Sequence, residues 1–332
     1  MFSRRDFIAA GAASAGALSV RTDAAAASRR RARSRPSTTG TAFVVCSDSS
    51  RLAIVDLASG RIVHNVTVGS SPSHVVLDPK RRRAYVSNFG ANSISAIDRD
   101  RGNLTAAFDS SGGPAAMALD VEMGALYVCN VLAGEVHAID VTSGRTIASA
   151  TVGTHPNDIA LDAARGRLYI TNAGSPDLSY VEIRPGGLVA NPVTLGGPCD
   201  SVLLAAEGKT AIVSHADAGT VSIVDTGTRR ITSTIEGLGQ PRGMCLPVAG
   251  GRLYVAEAAT STIAVVDIAG AAIVSRIPTG AAPYVVRGNG AGDRLFTVGY
   301  ESDSLTIIEV TSGAKLRTFG GFGKPRDIII DG

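Results

Sequence analysis

The sequence predicts an all-β fold, a seven-bladed β-propeller built from four-stranded antiparallel blades. A proline recurs seven times at intervals of 42, 42, 42, 43, 42 and 42 residues, and an acidic residue that ends a short apolar run keeps the same intervals. Each repeat also contains four short runs rich in Val, Ile and Thr and bounded by turn residues, which is the pattern of β-strands. Four strands in a unit of about 40 residues are typical of a propeller blade. The two sets of markers are Pro72, Pro114, Pro156, Pro198, Pro241, Pro283 and Pro325, and Asp56, Asp98, Asp140, Glu182, Asp225, Asp267 and Glu309.

Residues 1–27 have the pattern of an export signal. Ser3-Arg4-Arg5-Asp6-Phe7-Ile8 resembles the twin-arginine translocation motif, an apolar run from Ile8 to Val20 follows, and Ala24–Ala27 is a small-residue stretch that suits a signal peptidase. The apolar run is too short to span a bilayer. The alternative is an amphipathic or disordered start. We therefore expect twin-arginine export to the periplasm or the extracellular space, and no transmembrane segment.

Residues 28–40, SRRRARSRPSTTG, form a low-complexity stretch with five arginines that cannot bury apolar surface, so we expect a disordered basic leader. Electrostatic adhesion to an anionic lipid or cell-wall polymer is the functional alternative. The whole chain carries a charge of +3, residues 1–27 carry +1 and these arginines carry +5, which leaves −3 for the remainder. This balance gives no basic face, and we expect no nucleic-acid partner. The four cysteines have no CxxC or CxxCH spacing, which predicts buried free thiols.

The propeller domain is predicted to occupy residues 41–332. The ordered pattern begins with a second strand, AFVVC (42–46), and ends with a first strand, RDIIID (326–331). One blade is therefore expected to be composite, with its inner strand supplied by the C-terminus and its other three strands by residues 42–69. Closure of this kind leaves no open edge between the first and last blades.

The second strands carry a family resemblance. Tyr85-Val86-Ser87-Asn88, Tyr127-Val128-Cys129-Asn130 and Tyr169-Ile170-Thr171-Asn172 resemble the YVTN-repeat (YncE-like) β-propellers, as does the Gly-x-x-Pro pattern before an apolar strand that ends in Asp, in residues 153–162. The resemblance covers residues 41–332 and weakens in the later repeats. It implies the propeller fold and an extracytoplasmic location, and it implies no defined activity.

The register of the repeat predicts a candidate ligand-binding face. First strands line the central channel of a propeller, and the residues that enter them vary between blades here while the scaffold repeats, which is typical of a site built on a repeated fold. Arg242, Tyr284 and Arg326 hold equivalent positions on adjacent blades and are suited either to grip an anion or to pair with Asp327 and Asp200. The predicted ligand-binding residues are His74, Asn157, Asp158, Asp200, Arg242, Tyr284, Arg326 and Asp327.

A divalent metal is the candidate cofactor. His155, Asp158, Asp200, His215 and Glu257 fall on three successive blades at the same end, and imidazoles and carboxylates can ligate a metal or act as general acid and base. The alternative is a polar channel lip whose groups bond to each other, because no HxH or HExxH motif supports a metal.

Two functions follow from the sequence. The first is an exported cell-envelope module, expected to be monomeric, that binds a protein partner or a small ligand through its channel face without catalysis. The second is a propeller-type enzyme, either a metal-assisted lyase or lactonase, or an accessory subunit of a periplasmic dehydrogenase. The absence of GxSxG, P-loop and Rossmann signatures favours the first.

Overall fold

The computed structural model describes residues 40–247 and 251–331, and it confirms the predicted fold. The described chain forms seven four-stranded antiparallel sheets, which are the blades of the propeller. A single turn of 3-10 helix, Ala206–Gly208, is present besides the strands. The predicted export signal and all but the last residue of the leader lie outside the described residues.

Each blade runs outward from an inner strand to an exposed fourth strand. The inner strands are β4 (Pro72–Asp78), β8 (Pro114–Asp120), β12 (Pro156–Asp162), β16 (Ser201–Ala205), β20 (Pro241–Cys245), β24 (Pro283–Gly288) and β28 (Pro325–Asp331). The second strands are β1 (Thr41–Cys46), β5 (Arg83–Asn88), β9 (Ala125–Asn130), β13 (Arg167–Asn172), β17 (Thr210–His215), β21 (Arg252–Glu257) and β25 (Arg294–Gly299). The third strands are β2 (Arg51–Asp56), β6 (Ser93–Asp98), β10 (Glu135–Asp140), β14 (Asp177–Arg184), β18 (Thr220–Asp225), β22 (Thr262–Asp267) and β26 (Ser304–Glu309). The fourth strands are β3 (Arg61–Thr67), β7 (Asn103–Asp109), β11 (Thr146–Thr151), β15 (Gly187–Thr194), β19 (Arg230–Ile235), β23 (Ala272–Pro278) and β27 (Lys315–Gly320).

The predicted composite blade is present. Strand β28 pairs antiparallel with β1, from Thr41 opposite Asp331 to Cys46 opposite Pro325, and the sheet continues through β2 to β3. Neighbouring inner strands contact each other around the molecule, and β28 contacts β4, which completes the ring. The first and last segments of the domain are therefore held in one sheet by backbone hydrogen bonds.

The apolar core lies between the blades. Second and third strands are buried on both faces, because each blade packs against a neighbour on either side, whereas the fourth strands show only a few buried residues. Tyr85 of one blade, for example, packs in a cluster with Leu126 and Val128 of the next. Burial on both faces explains why the second strands read as continuous apolar runs rather than alternating ones.

The repeated polar residues make structural hydrogen bonds. Most of the acids at the ends of the third strands accept hydrogen bonds from the next turn; Asp98 Oδ1, for example, accepts from the amides of Asp100 and Arg101. Two of the asparagines that end second strands donate to the third strand. Asn88 Nδ2 donates to the hydroxyls of Ser93 and Ser95, and Asn172 Nδ2 donates to the Asp177 carbonyl and the Ser179 hydroxyl.

The four cysteines are free thiols, as predicted, and Cys46, Cys129 and Cys199 are buried. Burial raises the pKa of the Cys46 thiol to about 11 and that of Cys199 to about 12. No helix among the described residues is long and apolar enough to cross a membrane.

Candidate functional site

Six of the seven inner strands start at a proline, and the chain turns sharply just before it; β16 starts at Ser201, three residues after Pro198. The residue that precedes the proline has a positive φ in six of the blades, at Ser71, Gly113, His155, Gln240, Ala282 and Lys324. A proline fixes its own φ and has no N–H to donate, so it suits the first position of a strand. Directly after the proline, the pairing with the second strand shifts register, as between Pro72 and His74 in β4. This bulge directs the side chains of two consecutive residues toward the axis of the ring.

These residues line a cavity that opens to solvent. Two consecutive residues at the start of every inner strand line it, and Arg287 of β24 adds one more. We call the earlier residue of each pair the first ring and the later residue the second ring. The first ring is Ser73, Ala115, Asn157, Asp200, Arg242, Tyr284 and Arg326, and the second ring is His74, Ala116, Asp158, Ser201, Gly243, Val285 and Asp327.

Three second-ring side chains join their blade to the next. Asp327 Oδ2 accepts a hydrogen bond from the Val75 amide at 3.0 Å, and Asp158 Oδ2 accepts from the Val202 amide at 3.1 Å. His74 Nδ1 lies 3.3 Å from the Met117 amide nitrogen and accepts from it. In all three cases the donor is the residue that directly follows the second-ring position of the neighbouring blade. These amides belong to inner strands, which pair with a strand on one side only, and the side chain of the neighbouring blade satisfies them.

Charged partners add to these links at the seam of the composite blade. Asp327 is 3% exposed, its Oδ1 lies 3.2 Å from Arg287 Nη2, and its Oδ2 lies 3.5 Å from His74 Nε2. Since His74 Nδ1 accepts from an amide, the neutral imidazole carries its proton on Nε2, which faces Asp327. The blades of β24, β28, β4 and β8 are thereby tied in one chain of polar contacts.

The side chains of the first ring make several different kinds of contact. Arg242 Nη1 pairs with Asp200 Oδ1 at 2.7 Å, and Asn157 Nδ2 donates to the Asp200 carbonyl at 2.7 Å. The guanidinium of Arg326 lies 5.5 Å from the centre of the Tyr284 ring, within the range of a cation–π contact. Of the two alternatives, the structure shows the pairing of Arg242 with Asp200, whereas Arg326 stacks on Tyr284 and leaves Asp327 to Arg287 and His74.

Asp200 has the most perturbed carboxyl group in the cavity. Burial raises its pKa above the ordinary value, and the amide of Ala216 and the charge of Arg242 act against that rise. Its Oδ2 accepts from the Ala216 amide at 2.7 Å. A carboxyl group with a raised pKa in a cavity is a candidate for binding or proton transfer. Here both of its oxygens are already bonded, which favours a fixed, positioning role.

The structure does not bring the five candidate metal ligands together. Asp158 and Asp200 line the cavity, but His155 is exposed on the turn before Pro156, where its backbone takes the positive φ that the turn requires. His215 and Glu257 end their second strands at the position of the repeated asparagines and are buried within the blades.

Internal hydrogen bonds occupy both of these buried side chains. His215 Nδ1 donates to the Pro198 carbonyl, and its Nε2 is bonded to the Ser222 hydroxyl, so no ring lone pair is free for a metal. Glu257 accepts from the Gly239 amide, Thr262 Oγ1 and Arg276 Nε. Within the described ranges, no group of three or more His, Cys, Asp or Glu side chains is arranged to hold a metal ion.

The eight candidate ligand-binding residues all line the cavity. Sequence reasoning missed the others, of which Arg287 carries the most chemistry. Arg287 lies in Tyr-Val-Val-Arg, where the other inner strands have an apolar residue or Asp before the turn, and that isolated charge was the available signal. The remaining missed residues are small or apolar, namely Ser73, Ala115, Ala116, Ser201, Gly243 and Val285.

Comparison with solved structures gives neighbours of the same fold. A functionally unknown protein from Desulfotomaculum acetoxidans superposes with a TM-score of 0.77 at 14% identity, over 88% of this chain and 99% of that one. Hydrazine synthase from Kuenenia stuttgartiensis gives a TM-score of 0.73 at 18% identity, over 82% and 93%. A putative 6-phosphogluconolactonase from Bacteroides fragilis gives 0.73 at 14% identity, over 90% and 100%. At these identities the likeness is one of fold alone.

Comparison with protein families gives a match along the sequence. The family model described as outer membrane protein assembly factor BamB matches residues 8–231, which is more than half of the chain. No curated protein sequence gives a significant match.

Proposed function

Because the chain belongs to the family of outer membrane protein assembly factor BamB, we propose that it is a binding module of the cell envelope that holds a ligand or a segment of a partner protein in its central cavity. One observation carries this proposal. The cavity is lined by two residues from every blade, and these residues differ from blade to blade where the scaffold repeats. A variable lining on a constant scaffold is the arrangement expected of a binding site.

The bonding within the cavity supports binding rather than catalysis. The carboxylates of Asp158, Asp200 and Asp327 are each held by amides or cations of a neighbouring strand. A general acid or base must be free to exchange a proton with a substrate. These acids instead support a rigid wall, which suits recognition of a ligand by a preformed surface.

The location of the protein is part of the proposal. The twin-arginine motif at Ser3–Ile8 and the resemblance to YVTN-repeat propellers both support export to the periplasm or beyond. The family description, which names a factor in the assembly of outer membrane proteins, supports the same compartment and a protein partner. We expect the propeller to act there as a monomer.

Site-specific crosslinking tests the function. The photoreactive residue benzoylphenylalanine is placed at Tyr284, in the cavity, or at Met123, which is 76% exposed on a turn at the other end of the inner strands. The full chain is irradiated in its native host and its mass is measured. We expect an adduct from position 284 and none from position 123. No adduct from position 284, or the same adducts from both positions, would contradict the proposal.

A second measurement separates the binding module from the enzyme. Protein exported from its native host is analysed for metal and assayed with a panel of lactones. Bound metal in stoichiometric amount, together with lactone hydrolysis that is lost in Asp158→Asn, would replace the binding module by the lactonase.

A further inference from the structure

The acceptors of the cavity are occupied. Every carboxylate oxygen that lines it already accepts a hydrogen bond. Asp327 accepts from the Val75 amide and the Arg287 guanidinium, and Asp158 accepts from the amides of Ile159 and Val202. Asp200 accepts from the Ala216 amide and the Arg242 guanidinium. A bound cation or hydrogen-bond donor would therefore have to share oxygens that already hold neighbouring strands together.

The donors of the cavity, in contrast, are in excess. Arg242 uses only Nη1 toward Asp200 and keeps its other guanidinium N–H groups. The guanidinium of Arg326 makes no hydrogen bond and has no carboxylate within 4 Å among the residues that the structure describes, and the Tyr284 hydroxyl makes no hydrogen bond within that same part of the chain. Five N–H donors in a planar fork match a carboxylate or a phosphate. These unused hydrogen-bond donors are the groups expected in an anion-binding site.

The pairing of charges within the lining favours a single negative charge next to Arg326. The lining has no net charge when His74 is neutral, because three arginines balance three carboxylates. Arg242 and Arg287 are paired with Asp200 and Asp327, which leaves one positive charge, on Arg326, and one negative charge, on Asp158 of another blade, without an ion-pair partner among the described residues. A monoanion fits that single charge, whereas a phosphate dianion would bring a second negative charge near three carboxylates.

Part of the wall is apolar. The arginines lie on the consecutive inner strands β20, β24 and β28, and the two strands farthest from β24 around the ring are β8 and β12. β8 contributes only Ala115 and Ala116 to the lining, whereas β12 contributes Asn157 and Asp158. A ligand that is held by its charge at β28 can direct an apolar group toward β8, which lies two blades away.

We propose that the cavity is a monocarboxylate site, in which the guanidinium of Arg326 and the hydroxyl of Tyr284 bind the carboxylate, Arg242 offers further donors, and Ala115 and Ala116 face the apolar part of the ligand. The ligand is a small organic acid or the C-terminus of a peptide, since both present the same group. This proposal rests on the proposed function and narrows it.

Titration calorimetry on the purified propeller tests the charge requirement. Benzoate and butyrate are compared with benzamide and butyramide, which have the same shape without the charge, and with inorganic phosphate. We expect the acids to bind at least tenfold more tightly than the amides and than phosphate. Equal affinity for acid and amide, tighter binding of phosphate, or no binding of any carboxylate in either arm would overturn the proposal.

A second arm identifies the source of the carboxylate. Short peptides that end in an apolar residue are titrated with a free C-terminus and with a C-terminal amide. Binding of the free peptide with no binding of benzoate or butyrate assigns the site to a peptide terminus, and the reverse assigns it to an organic acid. Both results support the monocarboxylate site.

Substitutions test whether Arg326 and Tyr284 bind the carboxylate. Arg326→Gln is expected to weaken the best acid at least tenfold, and Tyr284→Phe several-fold, while Arg61→Gln, at an exposed arginine on the fourth strand β3, leaves the affinity unchanged. A thermal melt close to the wild type shows that each variant folds. An unchanged affinity in Arg326→Gln contradicts the assignment. If crosslinked adducts at position 284 persist while no carboxylate binds, the monocarboxylate site is refuted and the binding module stands.

Discussion

Removal of the Asp327 carboxylate should loosen the closure of the ring. Asp327 lies on β28, the strand that closes the composite blade, and its Oδ2 accepts from the amide of Val75, a residue that is 1% exposed. In Asp327→Ala that buried amide loses its acceptor, at a cost of about 1–3 kcal/mol. The ion pair with Arg287, whose side chain is 33% exposed, adds about 0.5–1 kcal/mol. Water from the cavity can restore part of the loss, so we expect the free energy of unfolding to fall by about 2 kcal/mol.

Unfolding in guanidinium chloride, followed by circular dichroism, measures this change. We expect a lower midpoint concentration and an unchanged dependence of the free energy of unfolding on denaturant concentration. Asp327→Asn keeps an oxygen for Val75 and should cost less, about 1 kcal/mol. Asp48→Ala is the matched control, because Asp48 pairs with Lys324 at 3.6 Å but its side chain is 56% exposed, and its loss should cost under about 0.5 kcal/mol. If Asp327→Ala is no less stable than Asp48→Ala, the carboxylate does not hold the seam and the reasoning is refuted.

Three further predictions concern packing, thiol reactivity and pH. In Gly243→Ala the new Cβ would lie 2.9 Å from the Val285 Cα, so we expect a loss of about 1–3 kcal/mol by guanidinium unfolding, whereas Gly197→Ala, with nothing within 4 Å, should be neutral; equal losses would contradict this. The thiols of Cys46, Cys129 and Cys199 have raised pKa values because they are buried, so Ellman's reagent at pH 8 should modify them only after denaturation. Cys245 is only partly buried, so rapid modification of more than one thiol in the native protein would refute the burial of the other three. Burial raises the pKa of Glu257, but its bonds to Arg276, Thr262 and the Gly239 amide outweigh burial and lower it below the ordinary value. A lowered pKa in the folded state adds stability that is present above the unfolded pKa and is lost as the pH falls through the folded value. Stability should therefore fall between about pH 5 and pH 3, and Glu257→Gln should flatten that dependence in unfolding curves; a wild-type slope in the variant would count against this.

The fold could be predicted from the sequence because each marker has a local physical cause. A proline cannot donate to a sheet, so its recurrence marks the start of six of the seven inner strands, whereas β16 starts three residues after Pro198. The acids that end the third strands bond to the turn that follows, which fixes the fourth strand behind them. The start of the pattern at a second strand and its end at a first strand required the composite blade, which the pairing of β28 with β1 confirms.

The lining of the cavity could be predicted in part, because register alone places the residues after each proline on the axis. Distances between blades were not accessible in this way, and the five candidate metal ligands show why. His215 and Glu257 align with Asn88, Asn130 and Asn172, and that alignment already assigned them to a buried structural position. His215 and Glu257 were chosen as candidate ligands because an imidazole and a carboxylate replace the asparagine of the other blades. Hydrogen bonds inside their own blades explain both side chains. Register is thus a better guide to a site than residue type alone.

The two rings of the cavity have different roles. Several second-ring residues contact the next blade: Asp158 and Asp327 accept hydrogen bonds from its amides, and Gly243 lies so close to Val285 that it leaves no room for a Cβ. Their identities are therefore set by closure of the ring. First-ring residues make fewer such contacts, and the side chain of Arg326 makes no hydrogen bond within the described chain. Substitutions in the second ring should then change stability more than binding, and those in the first ring should change binding more than stability. A propeller of this design can alter its ligand one blade at a time without opening the ring.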